Sequence, residues 1–236
     1  MEIKTYKKDA EYSYTLGAFP TIELLKTRPE EVIEVYVHST FTDTETIEAL
    51  AKPYGIPVSV RDKQINKLSD KENCFVIGVF KKYKDILRKN QSHVVLVNPS
   101  NMGNMGTIIR TAIGFGIKNL AIISPGVDVF NPKTIRASMG ALFRIKCQYF
   151  QSFEEYEQAY PEHEIFCFML NAKRQLTVNN CPKPKLFSLV FGNEATGLDN
   201  SYLEKGTSII IPQSEEVDSL NITIAAGVGM YLFTQQ

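Results

Sequence analysis

The 236-residue sequence lacks the hallmarks of several large protein classes. No apolar run approaches the roughly twenty residues of a membrane-spanning helix, and the opening MEIKTYKKDAEYSY has no apolar signal-peptide core. The four cysteines include no C-x-x-C pair, so we expect reduced, mostly buried thiols. These absences predict a cytoplasmic protein that has no membrane segment and no metal site.

Net charge is also missing, because 26 lysines and arginines balance 26 aspartates and glutamates. This balance argues against a protein that coats nucleic acid over its whole surface. Local basic groups remain in KKYKDILRKN (81–90), and Lys133 and Arg136 flank another loop. Such groups form either a solvated face or a contact with RNA.

Nucleotide-binding fingerprints are absent as well. The chain contains neither G-x-G-x-x-G nor a Gly-Lys-Ser/Thr phosphate loop. A nicotinamide or nucleotide enzyme on an ordinary doubly wound sheet is therefore disfavoured.

The residues that are present divide the chain into two α/β parts. Residues 12–82 predict a unit with the order helix, strand, helix, strand, strand. Its second helix is expected to be capped by Thr44 or Thr46, with Gly55 just past its end. The charged segment 81–91 is interpreted as a linker or a short connecting helix.

The second part, residues 92–236, alternates apolar strands with helix-period segments. Such an alternation predicts an α/β fold with a parallel sheet that is covered by helices on both faces. Three of its strands run into polar, glycine-bearing loops, at 93–116, 186–199 and 208–233. Since open α/β sheets bind ligands at the carboxyl ends of their strands, these three junctions can form one pocket.

Each junction carries polar residues that fit either a site or a structural role. Arg110 follows the first loop on a helix and can clamp a phosphate or carboxylate, or it is a surface arginine. Asn193 and Glu194 lie in the second loop, where a helix cap is the alternative. Ser219 and Asn221 open the last helix, and capping again competes with catalysis.

Taken together and in this order, the three segments resemble the three motifs of the SpoU-type (TrmH-like) branch of the SPOUT RNA methyltransferases. The resemblance covers about residues 92–236, and RASMGA (136–141) is a further hallmark. The leading part resembles the small α/β ribosomal-protein-like domain that often precedes this fold. The resemblance thus divides the chain into a substrate RNA-binding domain with linker (1–90) and a SPOUT methyltransferase domain (91–236).

The resemblance implies a parallel sheet whose C-terminal part forms a trefoil knot, although general topology rules disfavour knots. It further implies S-adenosylmethionine as cofactor, a homodimer, and methylation of a ribose 2′-hydroxyl in rRNA or tRNA. The catalytic positions that it implies are Asn104, Arg110, Glu194, Ser219 and Asn221. The cofactor-binding positions that it implies are Leu170, Gly192, Asn193, Ile211 and Leu220.

The first motif departs from the family pattern. Asn-Met-Gly occurs twice, at 101–103 and 104–106, so counting forward from Pro99 selects Asn101 and counting back from Arg110 selects Asn104. Spacing to Arg110 favours Asn104. A non-catalytic RNA-binding module of the same fold is the alternative function. Because the sequence ends directly after the last predicted helix, RNA recognition is expected from the leading part and the basic segment.

Overall fold

The computed structural model describes residues 3–69 and 73–235, and within these ranges the chain forms two β-sheets. A four-stranded sheet lies in the leading part and a seven-stranded sheet in the following part. The strands of the first sheet are β1 (Tyr12–Tyr14), β2 (Val32–Val37), β3 (Val58–Val60) and β4 (Val76–Lys81). Its helices are α1 (Ala18–Thr27), α2 (Thr44–Ala51) and α3 (Asp62–Leu68).

The first sheet has the order β1-β4-β2-β3 and mixed direction. Strands β2 and β3 are parallel, whereas β4 is antiparallel to both β1 and β2. The predicted element order omitted β1 and α3 and is wrong there. Strand β1 has three residues and α3 is the mostly polar DKQINKL, so neither gives a strong periodic signal.

The predicted cap of α2 is also wrong. The N-cap residue is Asp43, and Thr44 is already helical. Thr46 donates its hydroxyl hydrogen to the Asp43 carboxylate at 2.6 Å, so it supports the helix start from inside the first turn. Gly55 does follow the end of this region in a left-handed conformation, with φ of 65°.

The second sheet alternates with helices in its first half, as predicted, but its last four strands in chain order follow one another without an intervening α-helix. Its strands are β5 (His93–Val97), β6 (Asn119–Ile123), β7 (Lys146–Phe150), β8 (Glu164–Phe168), β9 (Arg174–Gln175), β10 (Phe187–Phe191) and β11 (Thr207–Ile210). Its helices are α4 (Met102–Gly114), α5 (Pro132–Ala137), α6 (Phe153–Ala159) and α7 (Ile222–Thr234).

The strand order is β7-β6-β5-β10-β8-β11-β9, and every neighbouring pair is parallel. Two apolar cores cover its two faces, one around Leu96 and Leu189 and the other around Val95 and Val190. The prediction of a parallel sheet buried on both faces is thus confirmed. Strand β10 lies between β5 and β8, so the first and second loops leave the sheet side by side.

Helix packing fixes the loops around the sheet. A Cβ on Gly106 of α4 would lie 2.5 Å from the Cβ of Ala137, and one on Gly229 of α7 would lie 2.5 Å from the Phe168 ring. These distances are too short for any larger residue. Both helices therefore approach their neighbours closely because glycine is at the contact.

The segment between the two sheets contains no helix, so the alternative prediction of a short connecting helix is wrong. Side chains of the second sheet hold its backbone. Gln148 accepts from the Leu87 N–H at 3.0 Å, and Asn119 accepts from the Arg88 N–H at 2.9 Å.

Among the described residues, no helix is long and apolar enough to cross a bilayer. The same residues contain no cluster of three or more metal-ligating side chains. All four cysteines are free thiols.

Candidate active site

A cavity of about 210 Å³ opens at the carboxyl ends of β8, β10 and β11. Its apolar wall includes the stacked rings of Phe168 and Phe191, whose centroids lie 4.3 Å apart. Its polar wall is the loop that follows β10, and its rim is the segment that leads into α7. Of the three junctions predicted to form one pocket, the second and third converge at this edge, whereas no residue of the first loop lines the cavity.

The loop after β10 folds back tightly at Gly192. A Cβ at this position would lie 2.1 Å from the carbonyl carbon of Gly197 and 2.3 Å from the Leu198 nitrogen. Both contacts are with backbone, which has no freedom to move aside. Only glycine fits here, and its missing side chain leaves the backbone open to the cavity.

Asn193 closes this loop with its backbone and its side chain. Its backbone exchanges two hydrogen bonds with Gly197, at 3.2 and 2.9 Å. Its side-chain oxygen accepts from the Ala195 N–H at 2.9 Å, while its amide donates to the Asn98 carbonyl at 2.7 Å. Asn98 itself has a φ of 50°, unusual for a residue other than glycine, and this turn presents its carbonyl to Asn193. The second loop is thereby tied to the first.

Glu194 makes the second tie between the two loops. Its carboxylate accepts from the Ser100 N–H at 3.0 Å, the Ser100 hydroxyl at 2.7 Å and the Asn101 N–H at 3.1 Å. Burial would raise the pKa of Glu194, but these hydrogen bonds outweigh it and hold the pKa below its ordinary value. At neutral pH the side chain is a carboxylate whose acceptors are already engaged, so it orders the loops rather than removing a proton.

The two candidate asparagines of the first motif have different contacts. Asn101 caps α4, because its side-chain oxygen accepts from the N–H groups of Gly103 and Asn104 at 2.8 and 3.0 Å. Asn104 instead directs its side-chain amide toward Glu194, at 3.4 Å. Of the two, only the Asn104 side chain is directed to the second loop.

Arg110 lies two turns into α4 on the exposed side of the helix. It forms no hydrogen bond or ion pair with any residue in 3–69 or 73–235. It does not line the cavity. Its guanidinium is therefore available to a ligand that arrives from outside.

The third junction divides its residues between two roles. Ser219 lines the cavity, as does the neighbouring Leu220. Asn221 caps α7 by accepting from the Thr223 N–H at 2.8 Å and the Thr223 hydroxyl at 2.7 Å. The capping interpretation thus describes Asn221, whereas Ser219 is placed at the cavity.

The cavity brings together every position predicted to bind the cofactor. They are Leu170, Gly192, Asn193, Ile211 and Leu220. Of the positions predicted to be catalytic, Glu194 and Ser219 line it, whereas Asn104, Arg110 and Asn221 do not. Sequence reasoning did not single out Ser100 and Asn98, which carry the ties between the loops, or Phe168 and Gln213 in the wall. Ser100 and Asn98 stand in the asparagine- and glycine-rich run of the first motif, which was the available signal.

The family model of the SpoU rRNA methylases matches residues 91–231. The chain belongs to the SpoU rRNA methylase family. The match begins just before β5 and ends within α7, so it includes all three loops described above.

Relatives within the SpoU family carry names that refer to RNA methylation. A Synechocystis protein named an uncharacterized tRNA/rRNA methyltransferase is 31% identical over 141 residues, which are 58% of this chain and 51% of that protein. A Bacillus subtilis protein named 23S rRNA (guanosine(2553)-2′-O)-methyltransferase is 28% identical over 130 residues, 55% of this chain and 52% of that protein. The chain thus spans about half the length of each of these relatives.

A solved structure shares the fold over nearly the whole chain. The AdoMet-bound rRNA methyltransferase of Sinorhizobium meliloti superposes with a TM-score of 0.80 at 24% identity. The alignment covers 94% of this chain and 86% of that one. Both sheets, and not only the SpoU part, therefore have a counterpart in a known fold.

Proposed function

We propose that this protein is an S-adenosylmethionine-dependent RNA methyltransferase that modifies a ribose 2′-hydroxyl of rRNA or tRNA. The observation that carries the proposal is the cavity at the carboxyl ends of β8, β10 and β11, closed by the glycine turn at Gly192. Membership of the SpoU family and the names of the relatives point to the same reaction.

The residues around the cavity fit S-adenosylmethionine. Apolar side chains of Ile211 and Leu220 suit the flat adenine ring, and the bare backbone at Gly192 lets a bulky ligand approach closely. The half-exposed Leu170 lies at the rim. When bound, the cofactor supplies an electrophilic methyl group on a sulfonium centre.

Residues of this chain would hold the substrate and fix its orientation. A guanidinium is protonated at every physiological pH, so Arg110 is a poor base but a good ligand for an RNA phosphate. It would hold the nucleotide and polarise the 2′-hydroxyl, and the proton would leave through the phosphate or water. Glu194 and Asn193 would keep the loops in the orientation that in-line transfer needs, and Asn104, which contacts Glu194, is the better candidate for the motif asparagine.

We also propose that the C-terminal part of the chain forms a trefoil knot. The strand order supports it, because β10 enters the sheet between β5 and β8, which both precede it in the chain. Helix α7 then returns to pack against α4, where a Cβ on Gly227 would lie 3.8 Å from Thr111.

A homodimer is a further part of the proposal. Ile224 and Tyr231, two turns apart on α7, are both at least half exposed. The Tyr231 ring continues this apolar face onto α4, with its centroid 5.9 Å from that of Phe115. Exposed apolar faces of this kind favour association, and the proposed partner is a second copy of this chain.

The leading unit is proposed to bind the substrate RNA, with the domain boundaries at 1–90 and 91–236. This assignment leaves one sheet in each domain. A cytoplasmic location accompanies the proposed RNA substrate.

The proposal is tested by methyl transfer from labelled S-adenosylmethionine to total RNA from a strain that lacks this protein. Wild type should label one RNA class. Arg110→Ala should lower the rate about a hundredfold or more while cofactor binding by calorimetry stays nearly unchanged, because Arg110 lies outside the cavity. Lys118→Ala, an exposed cation at the other end of the sheet, is the control and should transfer methyl groups normally.

Unchanged turnover by Arg110→Ala would remove its proposed role. Wild-type protein that binds RNA but neither S-adenosylmethionine nor methyl label would instead favour a non-catalytic RNA-binding module.

A further inference from the structure

The two sheets meet at a contact between α1 and the turn that follows α5. A Cβ on Gly140 would lie 2.7 Å from the Glu23 Cβ and 3.1 Å from the Pro20 Cα. Arg144 reinforces the contact through an ion pair with Glu23 at 2.5 Å. Side chains that flank this contact from both units are therefore held at fixed relative positions.

Two apolar side chains beside this contact face the solvent. Phe19, which immediately precedes Pro20, is 54% exposed. Met139, next to Gly140, is 39% exposed.

Met139 also has an unfavourable backbone conformation. Its φ is 52°, in the left-handed region that glycine or asparagine adopts at lower cost. An exposed methionine with a strained backbone does not stabilise the turn. Such local strain is concentrated at functional positions.

Two cations accompany these apolar groups. Lys133 and Arg136 belong to α5, and neither forms an ion pair with a residue in the described part of the chain. The Arg136 guanidinium is close enough to Cys74 to oppose the rise in the pKa of that thiol, which burial causes. Nearby acids are occupied, since Asp128 pairs with Lys82 at 3.3 Å and Glu23 pairs with Arg144.

The same surface adjoins the helix that carries Arg110. Gly106 of α4 contacts Ala137 and the Thr134 carbonyl, so α5 packs against the helix whose exposed side carries Arg110 one turn further on. We name Phe19, Lys133, Arg136 and Met139 the seam surface; they lie on α1 of the leading unit and on the segment that packs against the helix that carries Arg110.

We propose that the seam surface binds unpaired nucleotides of the substrate RNA next to the ribose that is methylated. Exposed aromatic and apolar side chains with unpaired cations between them are the combination that binds unstacked bases and their phosphates. A duplex offers its phosphates but no free base faces, so it would use the cations alone. This inference rests on the proposed function, because it places the substrate of that site.

RNA binding by fluorescence anisotropy tests the proposal without using methyl transfer. The probes are a labelled single-stranded RNA of mixed sequence, about 20 nucleotides long, and a duplex of the same length. Phe19→Ala should weaken single-strand binding at least about fivefold, and duplex binding less than about twofold, because only unpaired bases can stack on the aromatic ring. Tyr54→Ala is the matched control, since Tyr54 is 60% exposed on the same unit but lies outside the seam surface.

Charge is tested separately. Lys133→Gln should reduce the slope of log affinity against log salt by about 0.7 for the single strand. Lys52→Gln, an exposed lysine away from the seam surface, should leave the slope unchanged. Arg136→Lys keeps the charge and should lose less affinity than Arg136→Ala. Thermal melting of each variant confirms that it is folded.

Two results separate this inference from the proposed function. If Phe19→Ala and Lys133→Gln bind both RNAs like wild type while wild type methylates RNA, the seam surface is overturned and the function stands. If the variants lose single-strand binding but wild type transfers no methyl group to any RNA, the seam surface stands and the function is overturned. Equal losses with the Tyr54 and Lys52 controls would also contradict the seam surface.

Discussion

Polar groups are exposed at one end of the seven-stranded sheet and buried at the other. At the carboxyl ends, β5 and β10 run into exposed loops that cross-bond through Asn193 and Glu194 and leave a cavity open. At the amino ends, the first residue of β5, His93, and the second residue of β10, Ser188, are completely buried.

The buried amino-end groups form a hydrogen-bond network. Nε2 of His93 donates to the Arg88 carbonyl at 3.0 Å, which leaves Nδ1 to accept from the Tyr156 hydroxyl at 2.8 Å. Nε2 of His163 donates to the Lys89 carbonyl at 3.1 Å, and its Nδ1 lies 2.9 Å from the Ser188 hydroxyl, which in turn lies 2.5 Å from the Tyr156 hydroxyl. This network fastens the segment between the two sheets to the second sheet.

Polar residues at one end of a strand are therefore not by themselves evidence of a functional site. Polar groups that are buried and satisfied stabilise the fold, whereas polar groups that leave unused capacity beside a cavity are available to ligands. We therefore expect changes at the carboxyl ends to alter binding and changes at the amino ends to alter stability.

The largest effect is expected from Gly192→Ala. The new methyl group would overlap the Gly197 backbone at 2.1 Å, so the loop after β10 must move. Cofactor affinity by calorimetry should fall about a hundredfold or more. Gly114→Ala is the control, because a Cβ at that glycine meets nothing within 4 Å, and it should bind cofactor normally. Normal cofactor affinity of Gly192→Ala would contradict the assignment of this cavity to the cofactor.

At the amino ends, His93→Phe should lower stability and spare the cavity. The ring is retained, but the Arg88 carbonyl and the Tyr156 hydroxyl lose their partner in a buried site. The free energy of unfolding from urea titration should fall by about 2–4 kcal/mol. Cofactor affinity should be unchanged, and a matching loss of affinity would show that the two ends are not independent.

Acid should weaken the amino-end network in wild type. Burial lowers the pKa of His93 to about 4, from 6.5 in an exposed histidine. The unfolded chain therefore takes up protons first, and the stability from this group is complete above pH 6.5 and declines toward pH 4. Between pH 7 and pH 5, wild type should lose about 2 kcal/mol more than His93→Phe. Parallel pH curves for the two proteins would contradict a neutral buried His93.

The smallest effect is expected from Glu194→Gln. The low pKa of Glu194 means that its carboxylate stabilises the loops above the ordinary titration range of glutamate, and that this contribution is lost as acid protonates it. Because the group is partly exposed, we expect a loss of about 1 kcal/mol or less at neutral pH. Methyl transfer should fall while the fold persists. Equal stability of the two proteins at pH 7, with full activity, would leave Glu194 without the ordering role.

The alternation of strands and helices at the start of the second part could be predicted from the sequence alone. Apolar periodicity depends on near neighbours along the chain, and those neighbours are visible in VVLVN or NITIAAGVGMYLF. The glycine-bearing loops could be located for the same reason, because a strand end and a glycine are local features. Short or polar elements such as β1 and α3 carry little periodic signal and were missed.

The role of each polar residue depends on the tertiary structure. Asn101 and Asn104 stand in identical Asn-Met-Gly contexts, yet one caps its helix and the other contacts Glu194, ninety residues away. His93 and Ser188 gain their roles from burial beside Tyr156, and Gly140 meets Pro20 only where the two units pack. Hydrogen bonds and burial depend on distances in space between residues that are far apart in the chain, and local sequence does not contain those distances.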